Sequence, residues 1–136
     1  MNNNIQESYC SFEVSKLLKE KGFNIYQSTQ YSEGATTLYN YGIGQCRLFG
    51  DLYYRPTHAL AVEWLRVNYD IEVYTKILPG TVSNYGTTRQ WQWWINNYKD
   101  PLWYYGDTVS EFYNSPQEAL DAGLLYTLNN LCDEHI

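Results

Sequence analysis

Arg89-Gln90-Trp91-Gln92-Trp93-Trp94-Ile95-Asn96-Asn97 is the stretch on which the fold turns. Trp91, Trp93 and Ile95 alternate with Gln92, Trp94 and Asn96, which is the two-residue period of a strand with one buried face. Upstream, Ile71, Val73 and Ile77 alternate with Glu72, Tyr74 and Lys76 and predict a second half-buried strand. Downstream, Asp100-Pro101 turns the chain, and the segment from Leu102 to Tyr105 is expected to pair back. Pro79 to Thr88, with Gly80, Asn84 and Gly86, reads as the loop between the two long strands.

Three helices frame this region. In the first, Ser11 is a natural N-cap, Val14, Leu17 and Leu18 recur at helical spacing, and Gly22 supplies the stop, so a helix is predicted from about Phe12 to Lys21. The second starts around Pro56-Thr57. Leu60, Ala61, Trp64 and Leu65 form its apolar stripe, and Asn68 is the expected left-handed stop. The last opens with Ser115-Pro116-Gln117-Glu118, a capping box with proline at the first helical position, and buries Leu120, Leu124, Leu125, Leu128 and Leu131. Between the first two helices, Asn24 to Ser32 and Ala35 to Tyr41 flank a Glu33-Gly34 turn and suggest a hairpin. Gly42 and Gly44 then bend the chain before Cys46, Arg47, Leu48 and Phe49. The order helix, hairpin, helix, strands, helix lacks βαβ alternation. It predicts one α+β domain over residues 1–136, with an antiparallel sheet of four or five strands covered by three helices on one face. A chain of 136 residues suits a single domain and removes roughly two-thirds of its unfolded surface from water.

Composition narrows the function classes. The formal net charge is −6, and the nine basic residues are scattered, with Lys16, Lys19 and Lys21 interleaved with Glu13 and Glu20. Duplex nucleic acid and anionic membranes both demand clustered cations, so neither is an expected partner. Cys10, Cys46 and Cys132 are odd in number and form no CxxC pair, which argues against a secreted disulfide framework. The polar start from Met1 to Gln6 has no apolar stretch of a signal peptide, and nothing approaches a membrane span. A cytoplasmic protein is expected.

Catalytic motifs are lacking. His58 falls in the first turn of a helix and reads as an ordinary surface residue, while His135 lies on the tail. No His, Cys and Asp set shows metal-ligand spacing, so neither a metal nor another cofactor is expected. Cys46 sits beside Arg47 but has no evident base, and Cys10 and Cys132 read as packing residues near helix ends. Gly42-Ile43-Gly44 does not extend to a dinucleotide fingerprint, and no phosphate-binding loop occurs.

What stands out is the aromatic content of 18%, with 15 Tyr and 5 Trp. Around residues 89–94, strand alternation sets Trp94 opposite Trp91 and Trp93 and near Arg89, with Tyr104 and Tyr105 on the neighbouring strand. Indoles and phenols stack on planar rings and Arg grips phosphate, so the set suits a nucleotide-like ligand. The same residue types also build cores and homodimer interfaces. A second set, Tyr53-Tyr54-Arg55-Pro56-Thr57, places Tyr54 and Arg55 before a helix start, where free amides favour anions.

Three blocks carry a family resemblance: Ser11-Phe12-Glu13-Val14-Ser15-Lys16-Leu17-Leu18-Lys19-Glu20-Lys21-Gly22-Phe23; Pro56-Thr57-His58-Ala59-Leu60 with Trp64-Leu65-Arg66; and Ser115-Pro116-Gln117-Glu118-Ala119-Leu120 with Gly123-Leu124-Leu125. Together they resemble uncharacterised small phage and prophage proteins of Bacteroides-type bacteria. That family brings no established active site, so no residue role is carried over. The resemblance implies a phage accessory protein acting in the host cytoplasm. Such proteins often counter host immunity, one strategy being oligomeric sponges for nucleotide second messengers. The expected function is therefore non-enzymatic sequestration of a nucleotide-type signal in a homo-oligomer, through Arg55, Arg89, Trp94, Tyr104, Tyr105 and Tyr54. The alternative is an acidic module that inhibits a host protein directly. A third possibility is a hydrolase acting on such signals.

Overall fold

A computed structural model of the chain describes residues 7–27, 29–32, 38–40, 52–78, 82–83, 86–87, 90–99, 104–105 and 111–132. Among them run α1 (Phe12–Glu20), β1 (Thr29–Ser32), β2 (Leu38–Asn40), β3 (Leu52–Tyr54), α2 (His58–Tyr69), β4 (Ile71–Leu78), β5 (Val82–Ser83), β6 (Gly86–Thr87), β7 (Gln90–Asn97), β8 (Tyr104–Tyr105) and α3 (Pro116–Asn130). The Glu33-Gly34 turn, Gly42 to Phe49, Asp100-Pro101 and His135 lie outside the described residues.

The mixture of helix and antiparallel strand is present, but the expected single sheet of four or five strands is not. The principal sheet is one long two-strand ladder, β4 with β7, running from Ile71 opposite Asn97 to Leu78 opposite Gln90. Only the two-residue β8 is added to it, at Ile95 and Asn96. β1, β2 and β3 form a separate sheet in the order β2-β1-β3, and β5 and β6 pair by themselves. Nor do all three helices cover one sheet face. α3 packs across β4 and β7 and α2 against β4, whereas α1 lies against α3 and β3. The physical reason is that alternation identifies a strand and its buried face, but partner choice is made by distant residues.

The ladder's register puts Ile71, Val73, Trp93 and Ile95 on the face turned to α3, and all four are buried. They join Leu65 of α2, Leu124 and Leu128 of α3 and Val14 and Leu18 of α1 in one core. Gly123 permits this closeness, because a Cβ there would stand 2.8 Å from the Trp93 Cβ. Trp93 also stacks on Tyr126, with ring centroids 5.0 Å apart.

The helix ends follow the sequence closely, with two shifts. Ser11 and Ser115 accept from the amides of Val14 and Glu118, as N-caps should. For α2 the cap is Thr57, which accepts from Leu60, so Pro56 precedes the helix rather than opening it. Its left-handed stop is Asp70 at φ 56°, not Asn68, whose side chain instead donates to the Trp64 carbonyl one turn back. No helix among the described residues is long and apolar enough to cross a membrane.

Candidate functional site

The segment just before α1 runs antiparallel to the segment just before α2. Tyr9 and Thr57 form an isolated bridge, with Cys10 donating its amide to Pro56 O and His58 donating its amide to Ser8 O, both at 3.0 Å. Two helix starts are thereby clamped side by side. α3 packs against both helices and brings Asp121, from its second turn, into the gap.

Asp121 joins the elements. Its Oδ1 accepts from the Ser11 amide at 2.9 Å and lies 2.9 Å from His58 Nε2. The other ring nitrogen of His58, Nδ1, is 2.8 Å from Ser8 Oγ. Cys10 completes the cluster, its thiol pointing at the Thr57 carbonyl 3.8 Å away. The donor atoms of Cys10, His58 and Asp121 all lie within 4.8 Å of one another. Cys10 and His58 are buried and Asp121 is half-buried.

Burial pushes the Cys10 thiol far above its usual range; Asp121 adds to that and Arg55 partly offsets it. Burial also pushes the Asp121 carboxyl upward, but hydrogen bonds from His58 and from the Ser11 hydroxyl and amide outweigh it. Asp121 is therefore held below the ordinary carboxylate range. The corner holds an anionic carboxylate and a protonated thiol at neutral pH.

Outside the cluster opens a cleft of about 520 Å³, lined among others by Tyr9, His58, Tyr113, Gln117, Glu118 and Asp121. Tyr113 is tied to the ladder, since it exchanges both backbone hydrogen bonds with Trp91. Burial raises the Tyr113 phenol, a hydrogen bond from Trp93 lowers it, and Glu111 raises it further, with a net upward shift. The phenol stays neutral.

Of the residues singled out by sequence, Arg55 comes nearest the cleft, with its guanidinium 4.2 Å from the Tyr9 ring centroid. Tyr54 is half-buried and meets Tyr26 edge-on, with centroids 5.7 Å apart. Trp94 is half-buried on the ladder face opposite α3, with Lys76 Nζ 4.0 Å above its ring. Tyr104 and Tyr105 form β8, pairing with Asn96 and Ile95 beside Trp94. Arg89 lies outside the described residues. The two sets thus occupy different sheets, and neither Tyr54 nor Trp94 lines the cleft.

The sequence reading missed Ser8, Cys10, His58 and Asp121 as a group. His58 is not a surface residue: it is 4% exposed. Cys10, His58 and Asp121 are separated by tens of residues in the chain and meet only in the fold, so no spacing rule could have grouped them. One signal was available. Asp121 stands three, four and seven residues before Leu124, Leu125 and Leu128, which places a carboxylate on the apolar stripe of α3.

Ser8, His58 and Asp121 have the hydrogen-bonding order of a nucleophile, base and orienting carboxylate. The nearby amides of Cys10 and His58 are given to the Pro56 and Ser8 carbonyls, and Ser8 is not among the residues that line the cleft. Fold and site together define a small α+β domain with a largely apolar cleft, edged by polar groups such as His58 and Asp121, where its helix starts converge. No family model, curated protein or solved structure matches this chain.

Proposed function

We propose that the protein is a non-enzymatic binding module that sequesters a nucleotide-type molecule, with the base seated in the cleft at the helix starts. The observation that carries this reading is the presence of aromatic and hydrogen-bonding residues in the lining of one cleft. Tyr9 and Tyr113 supply aromatic surface, Gln117, Glu118 and Asp121 supply hydrogen-bonding groups, and Arg55 is stacked on Tyr9. Unpaired bases are held in this way, by stacking on aromatics and hydrogen bonds along their edges, with carboxylates accepting from base amino groups. Arg55 is the cation for a phosphate. Glu118 and Asp121 add acidic groups to the cleft lining, so the polyanionic part of the ligand belongs away from them, toward Arg55.

The biological setting, a phage accessory protein capturing a host immune signal as a homo-oligomer in the host cytoplasm, rests on the sequence resemblance. Calorimetry and melting shifts with cyclic dinucleotides, mononucleotides and ADP-ribose derivatives test the reading. Saturable binding is expected, weakened by Arg55→Ala and by Tyr113→Ala, with the ligand recovered chemically unchanged. No shift with any of these compounds would overturn it.

A second reading, direct inhibition of a host protein, is favoured by Phe112 and Tyr9, which are 54% and 38% exposed next to the cleft. Capture of a host protein by the purified domain, lost in Phe112→Ala, together with indifference to nucleotides, is the result that would select it.

A further inference from the structure

We infer that Cys10, His58 and Asp121 form a three-ligand site for a divalent transition metal, and that zinc is the ion its donors suit. The site lies in the same cleft and shares Asp121 with the nucleotide reading, but zinc binding needs no nucleotide and is tested without one, so either can fail while the other stands.

The donor set is one thiol sulfur, one imidazole nitrogen and one carboxylate oxygen, a combination of the types that bind zinc in proteins. The three come from three separate supports: the bridged segment before α1, the first residue of α2, and the second turn of α3. Their donor atoms already lie within 4.8 Å of one another, and His58 Nε2 and Asp121 Oδ1 are 2.9 Å apart. Zinc bonds of about 2.0–2.3 Å in a tetrahedron place donors roughly 3.3–3.7 Å apart. Closing the site therefore asks His58 and Asp121 to part by a few tenths of an ångström and the sulfur to swing inward by about 1 Å.

The outer contacts favour the same reading. A metal-bound imidazole ordinarily gives its other ring nitrogen to a fixed partner, and Ser8 Oγ stands 2.8 Å from His58 Nδ1. The Ser11 amide holds Asp121 in the same manner at 2.9 Å. On binding, the Cys10 thiol loses its proton to solvent and the His58 proton moves from Nε2 to Nδ1, where Ser8 Oγ accepts it. The thiolate and carboxylate then offset the two positive charges of the ion. All three residues also line the cleft, which leaves the fourth coordination position open to water or a ligand, as in zinc sites that do chemistry or bind small molecules.

Against this stands a simpler role, in which the three polar groups only tie helix starts together. Metal titration separates the two. The full chain, stripped with a chelator, is titrated with zinc alone and with cobalt(II) as a spectroscopic probe. Expected are one zinc per chain and a tetrahedral cobalt spectrum with a thiolate-to-metal charge-transfer band. Cys10→Ala should abolish the band and weaken zinc by about 100-fold or more, Asp121→Asn should weaken it at least about tenfold, and Cys132→Ala should leave both unchanged. Circular dichroism on each variant confirms that it is folded. The cobalt spectrum of the unaltered chain decides whether a tetrahedral thiolate site exists, and Cys10→Ala decides whether this thiol supplies it. Lack of saturable zinc binding, an octahedral cobalt spectrum, or a band that survives Cys10→Ala would overturn the site.

Discussion

Where α3 crosses β4 and β7, the contact is apolar and so close that position 123 has no room for a side chain. Where α1 and α2 begin, one residue of the same helix, Asp121, instead meets the His58 imidazole and the Ser11 amide, with Ser8 hydrogen-bonded to the far side of the ring. One helix serves both regions. Leu124 and Leu128 bury themselves in the core, while Asp121, three residues before Leu124, reaches the cleft. The first region gains stability from area removed from water. The second uses polar groups that must each find a partner when they leave water. On the proposed function, the helix-start corner is the binding end and the ladder face the scaffold.

If that division holds, damage to the scaffold should be severe and functionally uninformative. Leu124→Ala is expected to cost about 2–5 kcal/mol in urea unfolding, because it empties a fully buried site. Zinc and nucleotide affinities of the remaining folded molecules should not change. Gly123→Ala follows at about 1–3 kcal/mol, since the new methyl meets Trp93 and Val73 at 2.8–3.0 Å and α3 must lift. A gain in stability from that substitution would mean that the helix does not sit this close to the ladder.

The corner should respond differently. Asp121→Asn keeps an oxygen for the Ser11 amide and for His58 but loses the charge, so about 1 kcal/mol is expected at neutral pH. Its signature is pH dependence. The folded carboxyl titrates below its unfolded value, so its contribution is present above the unfolded value, near pH 4, and is lost as pH falls through the lower, folded one. Metal-free wild type should therefore lose stability over that acidic window. The difference between wild type and Asp121→Asn should shrink there. A difference that stays constant from neutral to acid pH would show that the charge of Asp121 is not engaged in the fold.

Legibility in the sequence divides along the same line. Val14, Leu18, Trp93, Leu124 and Leu128 repeat at helical or strand periods, so their elements and buried faces can be read locally. Ser11 and Ser115 likewise announce their helices, since a cap acts within a single turn. Strand pairing was legible only for neighbours: the expected hairpin of 24–32 with 35–41 is there as β1 on β2, and 102–105 does pair back, as β8 on β7, but assembly into sheets was not legible. Nothing within Ile71–Leu78 states that its partner is Gln90–Asn97 and that the two form most of a sheet by themselves. The cluster was least legible, because Cys10, His58 and Asp121 are joined by no spacing rule. Each has a bland local meaning: a packing thiol, a helix-start imidazole, a helix carboxylate. Only convergence of three helices changes that meaning, and Asp121 on an apolar stripe was the single local sign of it.

The smallest effect concerns the ladder face turned away from α3, where Tyr74 lies opposite Trp94 in register and Lys76 opposite Gln92. Lys76 holds its ammonium 4.0 Å over the Trp94 ring and 5.8 Å over the Tyr74 ring. An exposed cation on an aromatic face contributes about 0.5 kcal/mol, and Lys76→Ala should cost no more than that. Yet the ammonium occupies the surface on which a planar ligand would stack if Trp94 were the binding residue. Lys76→Ala therefore uncovers the indole and should make tryptophan fluorescence more open to quenching. Nucleotide affinity should stay the same if the cleft is the site. A rise in affinity on removal of this cation would move the binding surface from the helix starts to the ladder, and with it the boundary drawn between scaffold and function.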